Sequence, residues 1–136
     1  MRNGIQSFYL SLGNEACFFL QILNIAEKVT GKKIDIETAS LMCSVKGYIY
    51  LNWDNLKDKE NFLIIKHKDI LESLTPYKWE YEKVSSSYVP KKNEFVINEY
   101  KNGSYIHFDS VDFHSLQNSE TVKNGKIISK RVFRQK

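Results

Sequence analysis

Glu94-Phe95-Val96-Ile97-Asn98-Glu99-Tyr100-Lys101-Asn102-Gly103-Ser104-Tyr105-Ile106-His107-Phe108-Asp109-Ser110-Val111 is the stretch on which the fold turns. Its Asn-Gly pair is the strongest short-range hairpin signal, because both central positions of a tight two-residue turn take positive φ. With Asn102 and Gly103 as that turn, Tyr100 is expected opposite Tyr105, Asn98 opposite His107, Val96 opposite Asp109 and Glu94 opposite Val111. Alternation then puts Phe95, Ile97, Ile106 and Phe108 on an apolar face suited to a core. Glu94, Val96, Asn98, Tyr100, Tyr105, His107 and Asp109 share the other face.

Ahead of this hairpin the chain reads as helical. Residues 14–30 carry Phe18, Phe19, Ile22, Leu23, Ala26 and Val29 at helical spacing, with Asn14 as the expected cap and Gly31 as the stop. A second helix is expected from Ile36 to Lys46, capped by Asp35 and ended by Gly47, with a short extended stretch after it. Phe62-Leu63-Ile64-Ile65 reads as a buried strand and residues 67–74 as a short helix closed by Thr75-Pro76. Tyr77, Trp79 and Tyr81 alternate with charged residues, the period of a half-buried strand. Near the end, Lys123-Asn124-Gly125-Lys126 is expected to form a second tight turn leading into a strand over 127–133. Helices precede strands, so the pattern points to an α+β fold, N-terminal helices packed on a C-terminal antiparallel sheet.

The chain has 136 residues, one domain's worth, and its 42% hydrophobic and 26% charged content is that of a water-exposed globular protein. No apolar run approaches the roughly 20 residues of a membrane span. Met1-Arg2-Asn3-Gly4-Ile5-Gln6 lacks a secretory pattern, so a cytoplasmic location is expected. In that setting Cys17 and Cys43 are expected as thiols, Cys43 as a small hydrophobe on the apolar face of the second helix. Without a CxxC pair or a His/Cys cluster, the sequence calls for no metal and no cofactor.

The residues that can carry chemistry are few. Cys17 opens the first helix, where the positive end of the helix dipole and unpaired N–H groups favour a thiolate. His107 supplies an imidazole to take and return a proton, and an Asn or Asp must fix its tautomer. Asn98, expected directly across the hairpin from His107, is the better-placed orienter; Asp109 is expected about 6–7 Å away along the strand. An oxyanion hole would use the Cys17 backbone N–H with Gln6 or Asn14. Each residue alone also has an ordinary structural reading, with His67 as a helix-start residue and His114 as a loop residue; only the joint order argues for catalysis.

The cysteine-led helix ending Asn24-Ile25-Ala26-Glu27, the segment Asp69-Ile70-Leu71-Glu72-Ser73-Leu74-Thr75 and the late run from Asn118 to Phe133 resemble an uncharacterised family found on Borrelia plasmids and in related phages. That family looks like the papain-like peptidases that process bacteriocin leaders. The resemblance implies a single papain-like domain over residues 1–136 and a cysteine peptidase or amidase chemistry. It also implies that the aspartate maps to Asp109 while the histidine maps to Glu94. An acid beside the sulfur raises a thiol pKa where an imidazolium would lower it. Either His107 has taken over from the neighbouring strand, or the fold is kept as a pseudoenzyme.

Three functions therefore compete. One is a small cysteine hydrolase. The second is a catalytically inactive protein-binding module, for example a phage or plasmid inhibitor of a host protein, with Tyr77, Trp79, Tyr81, Tyr88, Tyr100 and Tyr105 as its aromatic contact surface. The third is a nucleic-acid-associated protein using Lys123, Lys126, Lys130, Arg131, Arg134 and Lys136, a run with no acid among them and part of a net charge of +4. The plainer reading of that run is a solvated last strand and a frayed tail.

Overall fold

The computed structural model describes residues 15–51, 63–109 and 123–136. Its first helix, α1 (Glu15–Thr30), stops where Gly31 takes a φ of 69°, a conformation that a Cβ penalises and glycine does not. Phe18, Phe19, Ile22, Leu23, Ile25 and Ala26 are each no more than 2% exposed. The helix is thus enclosed well beyond the expected stripe, as a central helix must be. The second helix, α2 (Ile36–Val45), starts at Asp35, whose carboxylate accepts from the Thr38 backbone N–H at 2.9 Å, the N-cap bond expected of an Asp there. Cys43 on its inner side is fully buried.

Strands β1 (Ile49–Leu51) and β2 (Leu63–Ile65) pair antiparallel as a small ribbon. A short helix, α3 (His67–Leu74), follows and packs on α1 through the buried Ile70 and Leu71. It is joined to strand β3 (Trp79–Ser85) by two bonds: the Trp79 N–H donates to Glu72 and the Trp79 indole N–H to the Thr75 hydroxyl, both at 2.9 Å. Burying an indole with its N–H satisfied is the condition under which tryptophan is stable in a core.

The main sheet adds β4 (Glu94–Asn102), β5 (Tyr105–Asp109) and β6 (Lys126–Gln135) to β3, in the order β3-β6-β4-β5, every pair antiparallel. This is the α+β architecture the pattern pointed to. Its inner face presents Trp79, Tyr81, Phe95, Ile97, Phe108 and Phe133 to the helices, and Phe18 of α1 sits 4.8 Å from the Phe108 ring.

Three expectations are corrected here. The hairpin turn is Gly103-Ser104, with positive φ recorded at Gly103 and not at Asn102, so Asn102 pairs with Tyr105. The slip is of two residues, which preserves the faces but changes every partner: Tyr100 stands opposite His107 and Asn98 opposite Asp109. Residues 123 and 124 form a helical stub before Gly125 and not the expected hairpin turn. Finally, the basic C-terminal strand is no solvated edge: β6 lies between β3 and β4, the central place in the sheet.

Candidate functional site

Helix α1 and strand β5 run in the same sense where they meet. Phe18 faces Phe108, and three residues on, Gln21 donates from Nε2 to Asp109 Oδ1 at 3.2 Å. Phe108 and Asp109 point to opposite faces of the strand, so α1 straddles the β5 edge of the sheet. Cys17 and Gln21 are one helical turn apart and stack on the same side, about 6 Å between their Cβ atoms. Cys17 is half-buried in the first turn of α1 and packs partly on the core.

The other carboxylate oxygen of Asp109, Oδ2, lies 3.6 Å from His107 Nε2. That is too long for a hydrogen bond yet close enough to bias the ring. A carboxylate only accepts, so the favourable tautomer carries its hydrogen on Nε2 and leaves Nδ1 as the proton acceptor. Asp109 and Gln21 are 1% exposed, and His107 and Asn98 are 7% exposed. Among the described residues, His107 Nε2 and Asn98 Oδ1 are buried without a hydrogen-bond partner, an unusual state for polar atoms in a native core.

The structure thus brings His107, Asp109 and Asn98 together on the hairpin and ties Asp109 through Gln21 to the helix that carries Cys17. Their roles shift. Asn98 is not opposite His107, and its Nδ2 makes a 3.4 Å contact with the Tyr100 hydroxyl; Asp109 is the nearer orienter. No hydrogen bond joins Cys17 to His107 among the described residues. Gln6, Asn14 and His114 lie outside the described residues.

Glu94 does not belong to this group. It pairs with Arg134 on β6, four residues along β4 from Asn98, about 13 Å away. Its carboxylate accepts from the Tyr88 hydroxyl at 2.7 Å, from the Lys91 N–H at 2.7 Å and from Arg134 Nε. Burial opposes its charge, but the Lys91, Tyr88 and Arg134 donors prevail and bring its pKa down to about 2. Glu94 pins the loop between β3 and β4 through these bonds.

The other two surfaces also change character. Trp79 is fully buried, Tyr81 packs on Phe133 at 4.9 Å, and Tyr88 is bonded to Glu94, so the expected aromatic contact surface reduces to Tyr77 and the half-buried Tyr100; the Tyr105 side chain lies outside the described residues. On β6, Arg131 donates to the Tyr81 hydroxyl and Glu99, Arg134 to Glu82 and Glu94, and Lys130 to the Tyr88 carbonyl. Much of the positive field is neutralised inside the sheet.

Sequence reasoning missed Gln21, and it read Arg131 only as part of a basic run. The signal for Gln21 was present: an amide four residues after Cys17, within the otherwise apolar Phe18-Phe19-Leu20-Gln21-Ile22-Leu23, needs a partner if the helix is buried. Arg131 lies over the Phe18 and Phe108 rings, 5.8 and 5.4 Å from their centres, a placement that no local pattern marks.

The fold is α+β, and Gln21, Asp109 and His107 link its first helix to the β5 strand. Residues 5–135 match the family described as "Protein of unknown function, DUF261", and the chain belongs to that family. No curated protein and no solved structure matches it. None of the described helices is long and apolar enough to cross a membrane.

Proposed function

We propose that the protein is a small cysteine hydrolase of peptidase or amidase type, with Cys17 as nucleophile, His107 as the proton carrier and Asp109 as its orienter. One observation carries the reading: the Gln21–Asp109–His107 chain ties the helix that bears Cys17, one turn from the thiol, to the strand that bears the imidazole. The order cysteine, histidine, aspartate and the helix-then-sheet layout agree with a papain-like arrangement. In the reaction the Cys17 proton passes to His107 Nδ1, the sulfur adds to the substrate carbonyl, and the amine leaves with the proton returned by His107. Water then cleaves the thioester and restores the thiol. Asp109 holds the Nε2–H tautomer throughout.

The test is alkylation of Cys17 by iodoacetamide, read site by site by mass spectrometry across pH. Rapid labelling at about pH 6 that is lost in His107→Ala supports the reading, since an ordinary thiol with a pKa near 8.5 is almost unreactive there. Labelling that rises only with such an ordinary pKa, whether or not His107 is present, excludes it.

A second reading has its own observation. His107 and Asp109 are buried almost completely, and Glu94 is committed to the Arg134 and Tyr88 network, so the same fold serves equally as an inactive protein-binding module. That reading expects no labelling advantage for Cys17. The nucleic-acid reading draws less support, because Lys130, Arg131 and Arg134 already have partners.

A further inference from the structure

We propose that Gln21 is a positioning residue for the His107–Asp109 pair. Its side-chain amide fixes one carboxylate oxygen so that the other is presented to His107 Nε2, and it couples that geometry to the helix carrying Cys17. In its use of Cys17 the inference rests on the hydrolase reading; in the rest it stands on geometry.

Gln21 is 1% exposed on a helix whose neighbouring residues are apolar, and its amide reaches Asp109 across 88 residues of chain. A buried amide placed in an apolar row has a cost unless it is bonded, so its presence needs a reason other than packing. Asp109 supplies one: its two oxygens are divided, Oδ1 to Gln21 Nε2 at 3.2 Å and Oδ2 toward His107 Nε2 at 3.6 Å. Fixing Oδ1 fixes the carboxylate plane, and with it the oxygen that decides which ring nitrogen keeps the hydrogen. On β4, the titratable Tyr100 stands opposite His107 and the neutral Asn98 opposite Asp109, while Glu99 and Lys101 lie on the other face; on α1, the titratable Cys17 lies one turn from Gln21.

Nitrogen NMR of the histidine rings in the full chain distinguishes this role from a structural one, because it reports the tautomer and not the fold. His107 is expected as a single Nε2–H tautomer in the natural protein. In Gln21→Met, which keeps the volume and removes the donor, mixed tautomers are expected, with Cys17 alkylation near neutral pH slowed about tenfold, the equivalent of one hydrogen bond to a charged group. Should the methionine variant fail to fold, Gln21→Leu serves in its place, since it also removes the donor from Asp109 Oδ1, and mixed tautomers are expected there too.

An unchanged tautomer in Gln21→Met, or in Gln21→Leu where that variant is used, overturns the proposal. Failure of the hydrolase reading looks different: Cys17 alkylation would ignore His107→Ala, while the tautomer would still decide what Gln21 does.

Discussion

Asp109 Oδ2 lies 3.6 Å from His107 Nε2 on the same strand, whereas Asn98, across the hairpin, faces Asp109 and not the imidazole. Two residues apart on a flat strand, the pair would stand about 6–7 Å apart; long side chains leaning toward one another close the gap. The consequence is unequal roles for the two candidate orienters. Asp109→Ala should slow Cys17 alkylation near neutral pH at least tenfold and cost about 1–3 kcal/mol by leaving Gln21 Nε2 without its acceptor. Asn98→Ala should change the alkylation rate less than threefold. Alkylation kinetics and urea unfolding of the two variants check both.

The two cysteines should separate cleanly. Neither is in a disulfide, but burial pushes the Cys43 thiol up to about 11, with Lys46 a weaker opposing influence, and Cys17 is half-buried. A thiol reagent at about pH 8 should modify Cys17 alone in the folded protein and both in denaturant. Counting modified thiols by mass spectrometry decides it; early modification of Cys43 would contradict the core assignment.

Glu94 makes stability depend on acid. Despite burial, its carboxyl is held at about 2 in the fold, against an ordinary 4.5, by the Lys91 N–H, the Tyr88 hydroxyl and Arg134. A group depressed on folding stabilises above its unfolded pKa, and that contribution is lost as pH falls through the folded pKa. Stability should therefore decline from about pH 4.5 toward pH 2, and Glu94→Gln should flatten the decline. Urea midpoints at about pH 5 and pH 2.5 for both proteins provide the measurement.

The arginines of β6 act on the fold before any ligand. Arg131 bonds Tyr81 and Glu99 and lies over the Phe18 and Phe108 rings, so Arg131→Gln should cost about 1–3 kcal/mol in unfolding free energy. A nucleic-acid role would show instead as binding that weakens steeply with salt and loses slope in that variant. Denaturation and salt titration, run side by side, separate the two outcomes.

Local signals were readable where they were local. Asp35 and Gly47 bound α2 as caps do, Gly31 stops α1, and residues 94–109 form a hairpin with its faces divided as expected. The two-residue slip escaped because Asn102-Gly103 and Gly103-Ser104 are both competent turns, and parity cannot choose between registers two residues apart. The position of β6 escaped for another reason. Strand order depends on pairing between distant segments, and Arg131 and Arg134 look like a basic tail until Glu82, Glu94 and Glu99 are seen across from them. Cys17, His107 and Asp109 were legible as types; that Gln21 would link them was not, because its partner lies 88 residues away.

The most direct test of the account is the acid dissociation of the Cys17 thiol itself, followed by ultraviolet thiolate absorbance in the natural chain and in His107→Ala, with Cys17→Ser as the blank. The account predicts a thiolate already formed at about pH 6 in the natural chain and a return toward about 8.5 without the imidazole. A thiol that titrates near 8.5 in both proteins would contradict it.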